Sequence, residues 1–256
     1  MPLLEAEHIS IEFGGLKAVQ DFNLQLKPNE LFSIIGPNGA GKTTIFNMLT
    51  GIYLPTSGIV KMNDVVMNGK NTYEFTRSGI ARTFQNIRLF GSTTVLQNLI
   101  IAMEMYADYN MFGTLFRTRK FKQKEKEFEE KGMELLKFFD LEKKRDFMAK
   151  NLPYGEQRRL EIARAMATNP KVLCLDEPAA GMNPSEVDDL VGMIAKLREN
   201  FDISIILIEH HMNMVMAIAD RIKVIEFGVT IAEGVADDIK NDPKVIEAYL
   251  GKEENH

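Results

Sequence analysis

The chain has 256 residues, 45% of them hydrophobic and 26% charged, with a formal net charge of −5. That balance suits a globular protein with a sizeable core and argues against binding nucleic acid through bulk charge. The lone Cys174 excludes an internal disulfide or a cysteine metal cluster and fits a reducing, intracellular setting, while no apolar run approaches the ~18 residues of a membrane span, so a link to a membrane would run through a partner.

Taken in chain order, the first part reads as strands and turns. The start, Met-Pro-Leu-Leu-Glu-Ala-Glu-His, has no basic opening and no apolar signal core. Residues 9–13 alternate apolar and polar, Gly14-Gly15 is a turn, Phe22, Leu24 and Leu26 fall at period two, and Pro28-Asn29 turns the chain again. Leu31–Ile35 is a continuous apolar run, the pattern of a strand buried on both faces. A glycine-rich loop then leads into a helix expected over residues 42–50, with Gly51 placed to end it. The turn Pro55-Thr56-Ser57-Gly58 precedes strands expected at 59–62 and 80–84.

From 86 to 150 helical signals replace strand signals. Phe121, Phe128, Leu135, Leu136 and Phe139 share one face of a helix expected over 121–139, and Glu127 and Lys131 are spaced to pair on the opposite side. The basic cluster Arg117, Arg119, Lys120, Lys122 and Lys124 reads as a solvated loop or helix start. This section is read as a helical subdomain inserted into an α/β core made of residues 1–85 and 151–256. A helix over 155–167, a strand over Val172–Asp176, a helix over 185–200 and a strand over 203–208 follow, and Cys174 is expected as a small buried hydrophobe. Strands alternating with helices predict a mainly parallel sheet covered on both faces. The charged tail, 252–256, is expected to fray.

Two motifs carry chemistry. Gly36-Pro37-Asn38-Gly39-Ala40-Gly41-Lys42-Thr43, followed by Thr44, fits the phosphate-loop pattern G-x-x-x-x-G-K-[ST]. Its glycines let the backbone curl so that N–H groups point at phosphates, and the helix behind adds its free N–H groups and positive dipole end. Lys42 is read as reaching the β and γ phosphates, and the Thr43 hydroxyl as a ligand of Mg²⁺, so the loop is expected to bind Mg-ATP. The guanine-reading Asn-Lys-x-Asp of a GTPase does not occur. The second motif is the strand Val172-Leu173-Cys174-Leu175 ending in Asp176-Glu177. Ligands of a parallel sheet sit beyond the carboxyl ends of its strands. Asp176 is therefore expected to hold Mg²⁺, and Glu177 to polarise an attacking water. A Glu directly after the Asp favours hydrolysis over transfer to a second substrate.

With these motifs in their order, nearly the whole chain resembles the ATP-binding-cassette (ABC) ATPases. The resemblance implies a P-loop core with a mainly parallel sheet, an N-terminal antiparallel β part and an inserted helical subdomain. Phe13 matches the aromatic that stacks on adenine, although for Phe13 taken alone a core role is slightly favoured. Gln85, in Thr83-Phe84-Gln85, matches the glutamine that touches Mg²⁺ and water. Leu152-Pro153-Tyr154-Gly155-Glu156-Gln157-Arg158 matches the family signature, which contacts ATP held by the other subunit of a head-to-tail dimer. The match departs from Leu-Ser-Gly-Gly-Gln: Pro153 replaces serine, Tyr154 a glycine and Glu156 the glutamine. Asn183, in Ala180-Gly181-Met182-Asn183, fills the D-loop position where Asp is usual. His210 matches the switch histidine at the γ-phosphate, assigned over His211 by order alone.

The finer resemblance is to the ATPase subunits of branched-chain amino acid importers. It rests on residues 154–164 (YGEQRRLEIAR), 177–184 (EPAAGMNP) and 245–251 (VIEAYLG). It implies a homo- or heterodimer of ATPase subunits, two transmembrane permease subunits contacted by the helical subdomain near residues 85–90, and an extracytoplasmic binding protein. The location implied is cytoplasmic, peripheral on the inner face of the cell membrane, with no nucleic-acid partner. Two readings stay beside it: a soluble cassette ATPase acting outside transport, and a small-molecule P-loop kinase.

Overall fold

A computed structural model describes residues 1–106 and 119–250, with no account of the side chains of 119, 120 and 250. Of the basic cluster, Arg117 and the side chains of Arg119 and Lys120 lie outside the described residues, as do Gly251 and the tail 252–256. By its contacts the chain divides into two units, Met1–Gln85 with Lys171–His256, and Asn86–Pro170.

The first unit holds two sheets. Four strands, β1 (Leu4–Phe13), β2 (Leu16–Leu26), β4 (Ser57–Met62) and β5 (Val65–Val66), form an antiparallel sheet in the order β2-β1-β4-β5. The alternation of β1 is reset at His8, whose φ of 52° accompanies a register shift between Ala6 and Ile9 that turns Ile9 and Ile11 into the core. The second sheet has the order β10-β9-β3-β8-β7-β6. It comprises β3 (Leu31–Ile35), β6 (Ile80–Arg82), β7 (Val172–Asp176), β8 (Ser204–Ile208), β9 (Arg221–Glu226) and β10 (Val229–Gly234). Every pairing from β9 to β6 is parallel, and β10 is an antiparallel edge. Every residue of β3, β7 and β8 is buried, as continuous apolar runs require of central strands. Helices α1 (Lys42–Leu49), α2 (Thr72–Arg77), α6 (Pro184–Phe201), α7 (Met212–Ile218), α8 (Ala236–Asn241) and α9 (Pro243–Leu250) complete this unit.

The second unit is helical: α3 (Val95–Met103), α4 (Arg119–Phe138) and α5 (Tyr154–Met166) pack on one another. Phe121, Phe128, Leu136 and, just past the helix, Phe139 are buried as the helical spacing predicts, whereas Leu135 is only half-buried. Gly132 lies on the same face; a Cβ there would stand 2.7 Å from Leu96 Cδ1, so α3 and α4 touch closely. Thr94 caps α3 reciprocally with Gln97.

Three expectations need correction. Residues 151–170, assigned from sequence to the α/β core, group with the helical unit, because α5 buries Leu160 and Ala163 in packing against α3 and α4. The strand expected over 80–84 ends at Arg82, although Thr83 N still bonds Cys174 O at 2.9 Å. The turn expected at 55–58 yields two residues to β4, which starts at Ser57. No described helix is long and apolar enough to cross a membrane.

Candidate active site

The phosphate loop runs from the end of β3 into α1, and two of its glycines, Gly36 and Gly41, have no room for a side chain. Gly36 has φ 148°, and a Cβ there would stand 2.0 Å from Ile225 O. Gly41, the residue before α1, has φ 102°, and a Cβ there would stand 2.8 Å from Ala18 O. Lys42 is buried and its Nζ donates to Gly36 O at 2.6 Å and Pro37 O at 3.0 Å, so the ammonium lies within the curl of the loop. Asn38, Gly39, Ala40, Gly41, Lys42, Thr43 and Thr44 line a cleft of about 430 Å³, together with Gln85 and Glu177. A ring of backbone N–H groups, a helix N-terminus and a lysine is suited to a polyphosphate.

Of the two acids expected at this cleft, Glu177 lines it and Asp176 is not among the lining residues. Asp176 is buried at the end of β7, and its Oδ2 accepts from Arg82 Nη2 at 2.7 Å. Arg82 also donates to Asn47 Oδ1 at 2.7 Å and Thr50 Oγ1 at 3.0 Å, and lies over the ring of Phe46, so it ties β6 to the phosphate-loop helix. Glu177 has φ 46°, which turns the chain out of the strand. Its Oε2 accepts from Gln85 Nε2 at 2.8 Å and lies 3.8 Å from His210 Nδ1. Gln85 and Glu177 are 92 residues apart in sequence and adjacent in space. The Thr43 hydroxyl, the Gln85 amide and the Asp176 carboxylate are all hard oxygen donors, the set Mg²⁺ prefers.

The two adjacent histidines separate by contact. His210 is half exposed, and its Nδ1 lies 3.8 Å from Glu177 Oε2 and equally 3.8 Å from Glu209 Oε2. His211 is held through Nδ1 by Glu209 Oε2 at 2.9 Å. Glu209 was not anticipated from the sequence, yet it is fully buried. Its burial pushes the pKa up, but hydrogen bonds from the His211 ring and the backbone N–H groups of Ala179, His211 and His210 outweigh this and hold it below the ordinary carboxyl range. A signal was present: an acid directly after the apolar run 205–208 needs buried donors. Arg82 was likewise missed; a charge inside an apolar strand implies a buried partner.

Phe13 is not among the residues lining the cleft; its ring stands edge-on to Tyr53, centroids 5.4 Å apart, and the lining contains Leu16, Lys17, Ala18 and Phe227 instead. Asn183 is the cap of α6: its Oδ1 accepts from Glu186 N at 3.1 Å while Glu186 Oε2 accepts from Asn183 N at 2.9 Å. Cys174 is buried, which pushes its thiol up to about 12 and leaves it inert.

In the helical unit, α5 begins at Tyr154 with Pro153 as its cap, one residue earlier than the helix expected from Gly155. Pro153 offers no side-chain bond, and Gln157 Nε2 bonds Leu152 O at 2.8 Å instead. Glu156 is ion-paired with Lys144 at 2.6 Å. Arg158 is fully buried and ion-paired with Glu161 at 2.7 Å; Glu161 also accepts from Arg88 N at 3.0 Å. Tyr154, at the start of α5, is half exposed, and Gln157 N bonds Pro153 O at 2.9 Å.

Residues 19–180 match the protein-family model "ABC transporter", and residues 229–255 match "Branched-chain amino acid ATP-binding cassette transporter". The high-affinity branched-chain amino acid transport ATP-binding protein BraF of Pseudomonas aeruginosa is 45% identical over 251 residues, 98% of this chain and 98% of that protein. LivG of Escherichia coli (strain K12), which bears the same description, is 45% identical over the same shares of both chains. Among solved structures, the ADP conformation of MJ1267, an ATP-binding cassette of an ABC transporter, is 33% identical with a TM-score of 0.85, over 98% of this chain and 99% of that one.

Proposed function

The chain belongs to the ABC transporter family of ATPases, and we propose that it hydrolyses Mg-ATP to power an importer of branched-chain amino acids. One observation carries the catalytic part: Glu177 opens on the phosphate-loop cleft with Gln85 at 2.8 Å and His210 at 3.8 Å from the same oxygen. The substrate class is supported by the match of residues 229–255 and by the names of the relatives.

In this reading the loop N–H groups and Lys42 bind the triphosphate, and Thr43, Gln85 and Asp176 hold Mg²⁺. Bound Mg²⁺ neutralises charge on the β and γ oxygens. Glu177 accepts a proton from the water that attacks the γ-phosphorus, and the bond to the β–γ bridging oxygen breaks, leaving ADP and phosphate. Gln85 orients the Glu177 carboxylate, and His210 hydrogen-bonds a γ-phosphate oxygen. Phe13 is kept as an adenine contact. Pro153, Tyr154, Gly155 and Glu156 act on the nucleotide of a second ATPase subunit, through the N-terminus of α5, and Asn183 lies at that dimer seam. Two such subunits, alike or paralogous, drive two transmembrane permeases on the inner face of the cell membrane. The helical unit docks on those permeases near residues 85–90, and an extracytoplasmic binding protein delivers the amino acid.

Glu177→Gln tests the chemistry. ATP binding is expected to persist while phosphate release falls by about 10²- to 10⁴-fold; turnover like that of the wild type would remove Glu177 from the mechanism. The transport assignment is tested by purification from membranes, which should bring down two multi-spanning proteins.

A further inference from the structure

At the end of β8 a buried charge holds groups that the reaction scheme above leaves unused. Glu209 takes four N–H donors on its two oxygens. Ala179 N reaches Oε1 at 2.9 Å, and His210 N, His211 N and His211 Nδ1 reach Oε2 at 2.9, 3.1 and 2.9 Å. An ionised carboxylate only accepts, so His211 carries a proton on Nδ1. The His211 ring lies against the His210 ring, centroids 4.4 Å apart and planes 33° apart. His210 in turn holds Nδ1 3.8 Å from Glu177 Oε2 and 3.8 Å from Glu209 Oε2. Ala179 belongs to the loop that follows Glu177, so this one carboxylate fastens both strand ends that bear the reacting groups.

We propose that Glu209 and His211 form a positioning pair for His210: Glu209 anchors the His211 ring, and that ring braces the His210 imidazole beside Glu177. The proposal rests on the reading of His210 and Glu177 as groups at the γ-phosphate. Four donors engage both oxygens of Glu209, one on Oε1 and three on Oε2, which suits a fixed anchor. Holding a group in place before the reaction avoids reorganisation during it, so the pair acts on turnover more than on nucleotide binding. Neither Glu209 nor His211 touches substrate in this scheme: His211 works through His210, and Glu209 through His210 and through the loop that follows Glu177.

The test is a double-mutant cycle in the whole 256-residue chain. Glu209→Gln is expected to lower kcat for ATP hydrolysis by about 10- to 100-fold, the range typical of groups that orient a catalytic side chain, with the Kd for ATP within about twofold. In a His210→Ala background the same substitution should cost a smaller factor in kcat, the remainder coming from the freed Ala179 N in the loop after Glu177. Should Glu209→Gln fail to fold, His211→Phe keeps the bracing ring, drops the Nδ1–H and should give the same dependence on His210. A wild-type kcat in either variant, or an equal loss with and without His210, overturns the positioning pair. A His210→Ala protein with wild-type kcat overturns the reading of His210 itself, an outcome distinct from the first.

Discussion

Single side chains decide how the carboxylates of this site are held. Arg82 and Asp176 form an ion pair at 2.7 Å with both side chains almost wholly buried. Such a pair adds little over a well-packed apolar substitute, but removing one partner strands the other charge. Arg82→Leu is therefore expected to lower the unfolding free energy by about 3–5 kcal/mol, read by urea denaturation. Glu209 makes a separate prediction in pH. Its folded-state pKa lies below the ordinary 4.5, so the stability it supplies is present above that value and is lost as pH falls through the depressed one. The melting-temperature gap between wild type and Glu209→Gln should narrow as pH drops below 4.5. A gap independent of pH would mean that Glu209 is not ionised in the fold. Neither residue belongs to a motif; each carries the signal of a buried charge, but the partner that ties it to another strand end lies far off in sequence: Asp176 is 94 residues from Arg82 and Ala179 is 30 from Glu209.

Elements were legible where their signal is local. The phosphate-loop helix, the helices that follow β7 and the signature, and the buried strands announce themselves by period and by flanking glycine or proline. The Asn183-Pro184-Ser185-Glu186 run carries a capping box at the start of α6, so Asn183→Ala is expected to cost about 1 kcal/mol by denaturant unfolding, and Asn183→Asp to cost little. The β9–β10 hairpin was not read from the sequence. Its two-residue turn, Phe227-Gly228, has φ of 46° and 79°, a geometry normally signalled by Asn-Gly or Asp-Gly, and a phenylalanine in the first position hides it. Element ends also moved: β6 stops at Arg82, where Thr83 turns its hydroxyl to accept from Asp176 N at 3.4 Å.

For the molecule as a whole, the proposed cycle needs two nucleotide-loaded subunits. Glu177→Gln with Mg-ATP is expected to shift from monomer to dimer in size-exclusion chromatography, and chelating Mg²⁺ in the wild type should abolish phosphate release. The phosphate loop, the acid pair after β7 and the alternation of strands with helices were determined by the sequence alone, because each is a contiguous pattern whose spacing is its chemistry. Only the tertiary structure decided that His210 and not His211 faces Glu177, that Glu209 anchors the latter, and that α5 belongs with α3 and α4 and not with the sheet. The first and last of those outcomes come from contacts across tens of residues, whereas Glu209 and His211 are two residues apart and are joined by the burial that the fold imposes on Glu209. Closing such long loops costs entropy that grows only slowly with length, so the chain brings distant groups together with no local pattern to record it.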